Sequence, residues 1–275
     1  MLSECAAGSD CMLRSLWRFR GFIADSVLRE FRTRYAGSLL GASWNLINPL
    51  VQILIYTLVF SEVMRSRLPG NGNDAYAYSI FLCAGVLPWQ FFTELVGRGS
   101  GVFVENANLL KKSSFPRVAL PVVTLLVALV NFCVTWFIFL LFLALVGRLP
   151  SLGAALAVLP YFGLLGALGF GLALLVGTLN VFFRDATQLI SIVLQLSFWL
   201  TPIVWPASTI PPRFAYLLSF NPFYAAIAPI QQAFLGNPVS AATQGVAALA
   251  LCATFCLTVG YVLYRHWAPE FADEL

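Results

Sequence analysis

The strongest constraint in this chain is a succession of apolar runs, each about as long as the hydrocarbon core of a bilayer is thick. Six of them, over roughly residues 44–64, 75–95, 118–146, 155–181, 188–205 and 241–264, carry almost no charge. A helix of about 20 mainly apolar residues is enough to cross that core. Composition excludes the soluble alternative: of 275 residues 60% are hydrophobic and only 10% charged, where soluble domains carry about 25% charged residues. A soluble fold of this size needs more polar surface than these side chains supply. The fold class is therefore an all-α integral membrane protein of six transmembrane helices, read as a single transmembrane domain over residues 1–275.

Orientation follows from the basic residues in the connections. With the N-terminus inside, twelve Lys and Arg fall on the inner side and four (Arg65, Arg67, Arg148, Arg213) on the outer, so both termini are expected in the cytoplasm. The start, "MLSECAAGSDCMLRSLWRFR", lacks the apolar core of a signal peptide, and no cleaved leader is expected. Residues 15–35 read as an amphipathic helix in the headgroup plane, with Leu16, Phe19, Ile23, Val27 and Phe31 on one face and Arg18, Asp25, Arg29 and Arg32 on another. Asp25–Arg29 and Glu30–Arg34 have i, i+4 spacing for ion pairs, and Gly37 and Gly41 let the chain turn into the first span. This use of the basic stretch in lipid leaves nucleic acid a poor explanation for it.

Two segments are not simple spans. Residues 206–240 are apolar but hold six prolines, which keep breaking the helix. They read as short re-entrant helices, because broken apolar backbone survives at membrane depth only when buried in protein or lining a cavity. Residues 97–117, "GRGSGVFVENANLLKKSSFPR", read as a polar inner loop with room for one short helix.

The spans hold essentially no charge, which argues against an ion-coupled transporter. No paired acids or metal motif point to catalysis, and the lone His266 reads as interfacial. Cys252 and Cys256 share a helix face without a His or carboxylate nearby and read as small buried hydrophobes. Gly163, Ala167 and Gly171 at four-residue spacing offer a face for close helix approach, within the subunit or across a dimer. Amides are more informative. Asn45, Asn48, Gln52 and Tyr56 lie on one helical face of the first span, and Gln188, Ser191, Gln195 and Trp199 repeat that spacing in the fifth. Buried unsatisfied amides cost about 1–3 kcal/mol each. These ladders therefore either hold the bundle together by hydrogen bonds or border a hydrated path for a neutral, hydroxyl-rich substrate. The phosphate loop G-x-x-x-x-G-K-[ST] is absent, since the only lysines are Lys111 and Lys112. A permease of this kind needs energy from a separate ATPase.

"RTRYAGSLLGASWNLINPL" resembles the signature that opens the first span of ABC type 2 exporter permeases for polysaccharides, with Arg32, Arg34, Tyr35, Ser38, Leu40, Gly41, Trp44 and Pro49 in its fixed positions. "NANLLKKSSFPRVALP", "NVFFRDATQL" and "SFNPFY" resemble three further segments of that family, in the same order. The family includes O-antigen, capsule and teichoic acid permeases. The resemblance implies a non-enzymatic homodimer with two copies of a cytoplasmic ATPase. ATP and Mg would bind that partner, and no cofactor is expected in this chain. It implies export of a lipid-linked polysaccharide, O-antigen ahead of capsule, across the inner membrane. It also implies a channel lined by spans one and five, hence by the two ladders, with Tyr56 and Trp199 offering ring faces to sugars. Glu105, Asn106, Asn108, Lys111 and Lys112 would couple to the ATPase, and Phe220, Asn221, Pro222 and Tyr224 would belong to an outer gate. Arg32 and Arg34 either anchor the interface helix or also receive the phosphates of the lipid-linked glycan. Arg184 and Asp185 are read as a pair that caps and orients a helix end, ahead of a phosphate site. The alternative is a drug, haem or lipid exporter of the same superfamily, which shares the six-span plan.

Overall fold

The computed structural model describes residues 17, 19–34, 41–63, 68, 74, 76–111, 117–238 and 243–275, and every regular element among them is helical. In chain order these are α1 (Arg20–Arg34), α2 (Trp44–Thr57), α3 (Ala77–Glu105), α4 (Ala107–Leu110), α5 (Ala119–Val146) and α6 (Leu152–Ala157). They are followed by α7 (Leu159–Phe182), α8 (Ala186–Leu200), α9 (Ala215–Ser219), α10 (Pro222–Phe234), α11 (Thr243–Trp267) and α12 (Phe271–Glu274). Four stretches, Ala77–Glu105, Ala119–Val146, Leu152–Phe182 and Gly245–Glu270, are long and apolar enough to cross a membrane; Trp44–Phe60 and Ala186–Leu200 are apolar but shorter.

α3 is the axis of the bundle, packed by α2, α5, α7, α8 and α10. Its Trp89 and Phe92 rings meet Phe223 of α10 at 5.2 and 5.1 Å, and Trp89 meets Phe198 of α8 at 5.9 Å. α11 lies along α7. That pair packs backbone to backbone: a Cβ on Gly171 would stand 2.5 Å from the Leu257 nitrogen, and one on Gly260 would stand 2.6 Å from the Gly171 carbonyl oxygen. Gly171 thus serves close approach within the chain, whereas a Cβ at Gly163 would meet nothing within 4 Å. Cys252 and Cys256 pack beside the main apolar core as small hydrophobes.

Several boundaries differ from the sequence reading, each for a local reason. Residues 97–105 are not loop but the last turns of α3. Gly99 lets α3 approach α7 there: a Cβ on it would stand 2.3 Å from Ala173 Cβ. The fifth apolar run stops being helical at Leu200, because Thr201 (φ −102°, ψ 134°) is extended ahead of Pro202, as a residue preceding proline prefers. The fourth run breaks at Val158, just before Pro160 opens α7. After Thr57 the first run widens into π-helical turns over Leu58–Val63. α5 ends on Gly147 at φ 72°, with the Arg148 amide donating to the Leu143 carbonyl, the αL stop that glycine supplies without strain.

α1 is amphipathic as read. Ile23 is buried and Phe19, Val27 and Phe31 are half-buried, while Asp25, Arg29 and Arg32 are exposed. Its partner, however, is α5 of the same chain. Glu30 turns to Arg98 of α3 at 3.0 Å; the Arg34 side chain lies outside the described residues, as do Leu16, Arg18 and Gly37. Gly41 takes φ 50°, a left-handed conformation, just before α2, where the chain is expected to turn.

Candidate functional site

The first amide ladder borders a groove. Asn45, Asn48 and Gln52 of α2 line a cavity of about 460 Å³ together with Gln90, Thr93 and Glu94 of α3 and Asn131 and Thr135 of α5. Gln52 Nε2 donates to the Tyr56 hydroxyl at 3.0 Å, and the Tyr56 carbonyl accepts from Ser79 Oγ at 3.4 Å. The groove continues inward as a chain of charge. Asn131 Nδ2 donates to Glu94 Oε1 at 2.6 Å, Glu94 pairs with Arg98 at 3.0 Å, and Arg98 reaches Glu30 of α1. Glu94, placed by sequence at a span end, is thus the acidic member of an amide-rich site well inside α3. Gln90, Thr93 and Glu94 at i, i+3, i+4 and Asn131 and Thr135 at i, i+4 also share one helical face each, as Asn45, Asn48 and Gln52 do. That periodicity was the signal for them.

The second ladder stands on an open face. Gln188, Ser191 and Gln195 are exposed, and Trp199 is 62% exposed. Ser191 Oγ donates to the Thr187 carbonyl at 2.8 Å, and the Trp199 carbonyl accepts from Trp205 Nε1 at 3.3 Å. Leu189, Ile192, Val193, Leu196 and Leu200 are exposed on the same helix. α2 packs on α5 and α3, while α8 packs on α3 and α7, so one chain presents the ladders on separate faces. Arg184 and Asp185, just before α8, are both exposed and make no ion pair with each other; Asp185 holds the N-cap position without a side-chain cap bond. Asp185 thus stands at the helix end where the sequence reading places the pair, but without the side-chain bond of a cap.

At the end of α3 the backbone leaves helical geometry at Asn106 (φ −106°, ψ 24°), whose Nδ2 donates back to the Val102 carbonyl at 2.9 Å. α4 then presents Asn108, flanked by exposed Glu105 and Lys111, while Leu110 is buried. Lys112 lies outside the described residues. Arg32 is exposed on α1.

At the opposite end of the bundle, "SFNPFY" is explained by capping. Asn221 Oδ1 accepts from the Phe223 and Tyr224 amides at 2.9 and 3.2 Å, and Pro222 fills the first helical position of α10. Proline is suited to that position because its missing N–H has no intrahelical partner there. Asn221 Nδ2 also donates to Thr201 Oγ1 at 3.0 Å, tying α10 to the end of α8. Phe220 is 76% exposed and Tyr224 half-buried. Sequence reasoning missed Gln231, which is 4% exposed and donates through Nε2 to the Phe81 and Ile203 carbonyls at 3.3 and 3.2 Å. Gln231 and Gln232 are adjacent in an otherwise apolar helix, without the i, i+3 or i+4 spacing that marks a polar face. A cavity of about 790 Å³ at this end surrounds the Arg148–Asp74 pair, 2.8 Å apart, away from both ladders.

The ABC-2 type transporter family matches residues 26–235. An O-antigen export system permease protein, RfbA, of Myxococcus xanthus is 31% identical over 96% of this chain and 99% of its own length. A protein of the same name from Klebsiella pneumoniae is 28% identical over 93% of this chain and 96% of its own length. The polysialic acid transport protein KpsM of Escherichia coli is 22% identical over 86% of this chain and 90% of its own length.

Proposed function

This chain belongs to the ABC-2 type transporter family, and we propose that it is the permease of an ATP-driven exporter that carries lipid-linked polysaccharide out of the cytoplasm. The observation that carries this reading is the match, over 96% of the chain, to a permease named for O-antigen export. O-antigen is favoured over capsule because the capsule-type relative is the more distant, at 22% identity. The chain is a single permease domain in the bacterial inner membrane with both termini cytoplasmic. Two copies pair, each with a cytoplasmic ATPase subunit that binds ATP and Mg. α2 and α8 complete the six spans, and residues 206–240 dip into the outer leaflet as a re-entrant gate around Phe220, Asn221, Pro222 and Tyr224.

The chemistry of the two ladders supports this cargo. Amides and hydroxyls exchange hydrogen bonds with sugar hydroxyls at little net cost, and exposed Trp199 and half-buried Tyr56 offer apolar ring faces. Pairing two chains would bring the open α8 face of one copy towards the α2 groove of the other and so join the ladders in one conduit. Arg32 and Arg34 stand where α1 leads into the first span, and would receive the phosphates linking glycan to lipid. Glu105, Asn106, Asn108, Lys111 and Lys112 would contact the ATPase.

The test is deletion of the gene in its own host and complementation with the wild-type chain or with Trp199→Ala plus Gln195→Ala. Loss of long-chain surface polysaccharide on deletion, with lipid-linked glycan accumulating inside, is the expected result, and the double variant should restore export poorly. Unchanged surface polysaccharide in the deletion strain would overturn the reading and leave a drug, haem or lipid cargo.

A further inference from the structure

The C-terminal residues play no part in the ladders, the groove or the outer cap, yet they form the most densely aromatic contact at the α4 end of the bundle. Phe271 is fully buried. Its ring lies 4.9 Å from Phe103 of α3, 6.2 Å from Tyr264 of α11 and 6.3 Å from Phe182, the last residue of α7. Phe182 also meets Trp267 at 5.0 Å, and Leu110 of α4 belongs to the same buried cluster. On the far side of the α4 segment, Arg117 donates to the Ala268 carbonyl. Both flanks of that segment therefore touch the C-terminus, and α12 packs on α4 and on α7 at once.

We propose that Tyr264–Leu275 is a clamp that carries movement of the α4 segment to the α7–α8 turn, with Phe271 as its positioning residue. The proposal rests on the functional reading in taking α4 as the contact for the ATPase. Three observations favour this route. The helix break at Asn106 separates α4 from α3, so a tilt of α4 is not obliged to move the bundle axis. Packed aromatic rings, by contrast, resist separation and transmit displacement. The receiving end is also poised to change: Thr178 Oγ1 and Asn180 Oδ1 before the turn, and Thr187 Oγ1 after it, are buried without a hydrogen-bond partner among the described residues. Buried polar groups left unpaired disfavour the state that holds them, so a rearrangement that pairs them gives the turn a second arrangement. α8 and its open ladder start at Ala186, four residues beyond Phe182.

The experiment compares Phe271→Ala and Phe271→Leu with the wild-type chain, each co-expressed with its ATPase and isolated as the full complex. Phe271→Ala should co-purify with the ATPase and hydrolyse ATP within about twofold of wild type while export falls about tenfold, the size of an ordinary coupling term. Phe271→Leu, which refills most of the volume, should restore most of the export. Loss of ATPase binding, as expected of Asn106→Ala with Asn108→Ala, would make Phe271 part of the dock and overturn the clamp. So would export that stays above half of wild type, or falls only with the amount of protein in the membrane. A readout independent of cargo separates this from the functional reading. The rate at which maleimide labels Ser191→Cys should change on adding ATP in the otherwise wild-type complex and stay fixed in Phe271→Ala. If glycan export fails in wild type but this labelling difference holds, the cargo is wrong and the clamp stands. If labelling responds to ATP equally in both, the clamp falls.

Discussion

Removing the Asn221 side chain should loosen the start of α10 by an amount the hydrogen bonds set. Its Oδ1 satisfies the Phe223 and Tyr224 amides, and its Nδ2 binds Thr201 Oγ1. Replacing an asparagine cap by alanine costs about 1 kcal/mol. Losing the bond to Thr201 adds about 1 kcal/mol; Thr201 still donates to the Ser197 carbonyl, so its own hydroxyl is not stranded. A loss of about 2 kcal/mol raises the local opening equilibrium roughly 30-fold. Hydrogen exchange resolved to peptides spanning 219–230 reads this directly, since exchange of protected amides follows such local openings. Asn221→Ala should exchange the Phe223 and Tyr224 amides about 10- to 30-fold faster. Asn221→Asp, which keeps the acceptor and loses the donor to Thr201, should leave them mostly protected. Exchange in Asn221→Ala close to wild type would refute the capping argument, and equal acceleration in the aspartate variant would refute the role given to Oδ1.

Two further outcomes follow from named contacts. A Cβ at Gly85 would stand 2.5 Å from Gln231 Nε2, so Gly85→Ala should drive that buried amide off both carbonyls. The cost of about 1–3 kcal/mol should appear as a lower thermal midpoint in detergent, partly recovered by adding Gln231→Leu; a midpoint equal to wild type would sink the idea. Arg98→Met should release α1 from α3. The Arg98, Glu30 and Glu94 side chains are 28%, 45% and 25% exposed, so solvent screening limits the loss to about 1 kcal/mol or somewhat more. Faster tryptic cleavage at Arg29 and Arg32 would show it, and an unchanged cleavage rate would count against the ion chain as the tether.

The split between what the sequence disclosed and what it hid follows the range of the interactions. Hydropathy exposed the apolar runs because transfer into lipid acts residue by residue. The start of α10 is fixed just as locally, by Asn221, Pro222 and the two adjacent amides that Asn221 caps, although the sequence reading places those residues only in an outer gate. Periodicity exposed each polar face but not its neighbours within the chain: nothing in the spacing of Asn45, Asn48 and Gln52 says that α3 and α5 share their groove. Glycine was misread for the same reason. The stretch around Gly99 has the composition of a loop, and only Ala173 opposite Gly99 shows why the helix needs a small residue at that position. The ties that set the arrangement, Glu30 to Arg98, Gln231 to Phe81 and Arg117 to Ala268, join residues 68, 150 and 151 positions apart. Bilayer insertion rewards apolar length without specifying which helix meets which. In a chain with so few charges, rare polar links and missing side chains must supply that specificity, and neither leaves a mark on local hydropathy.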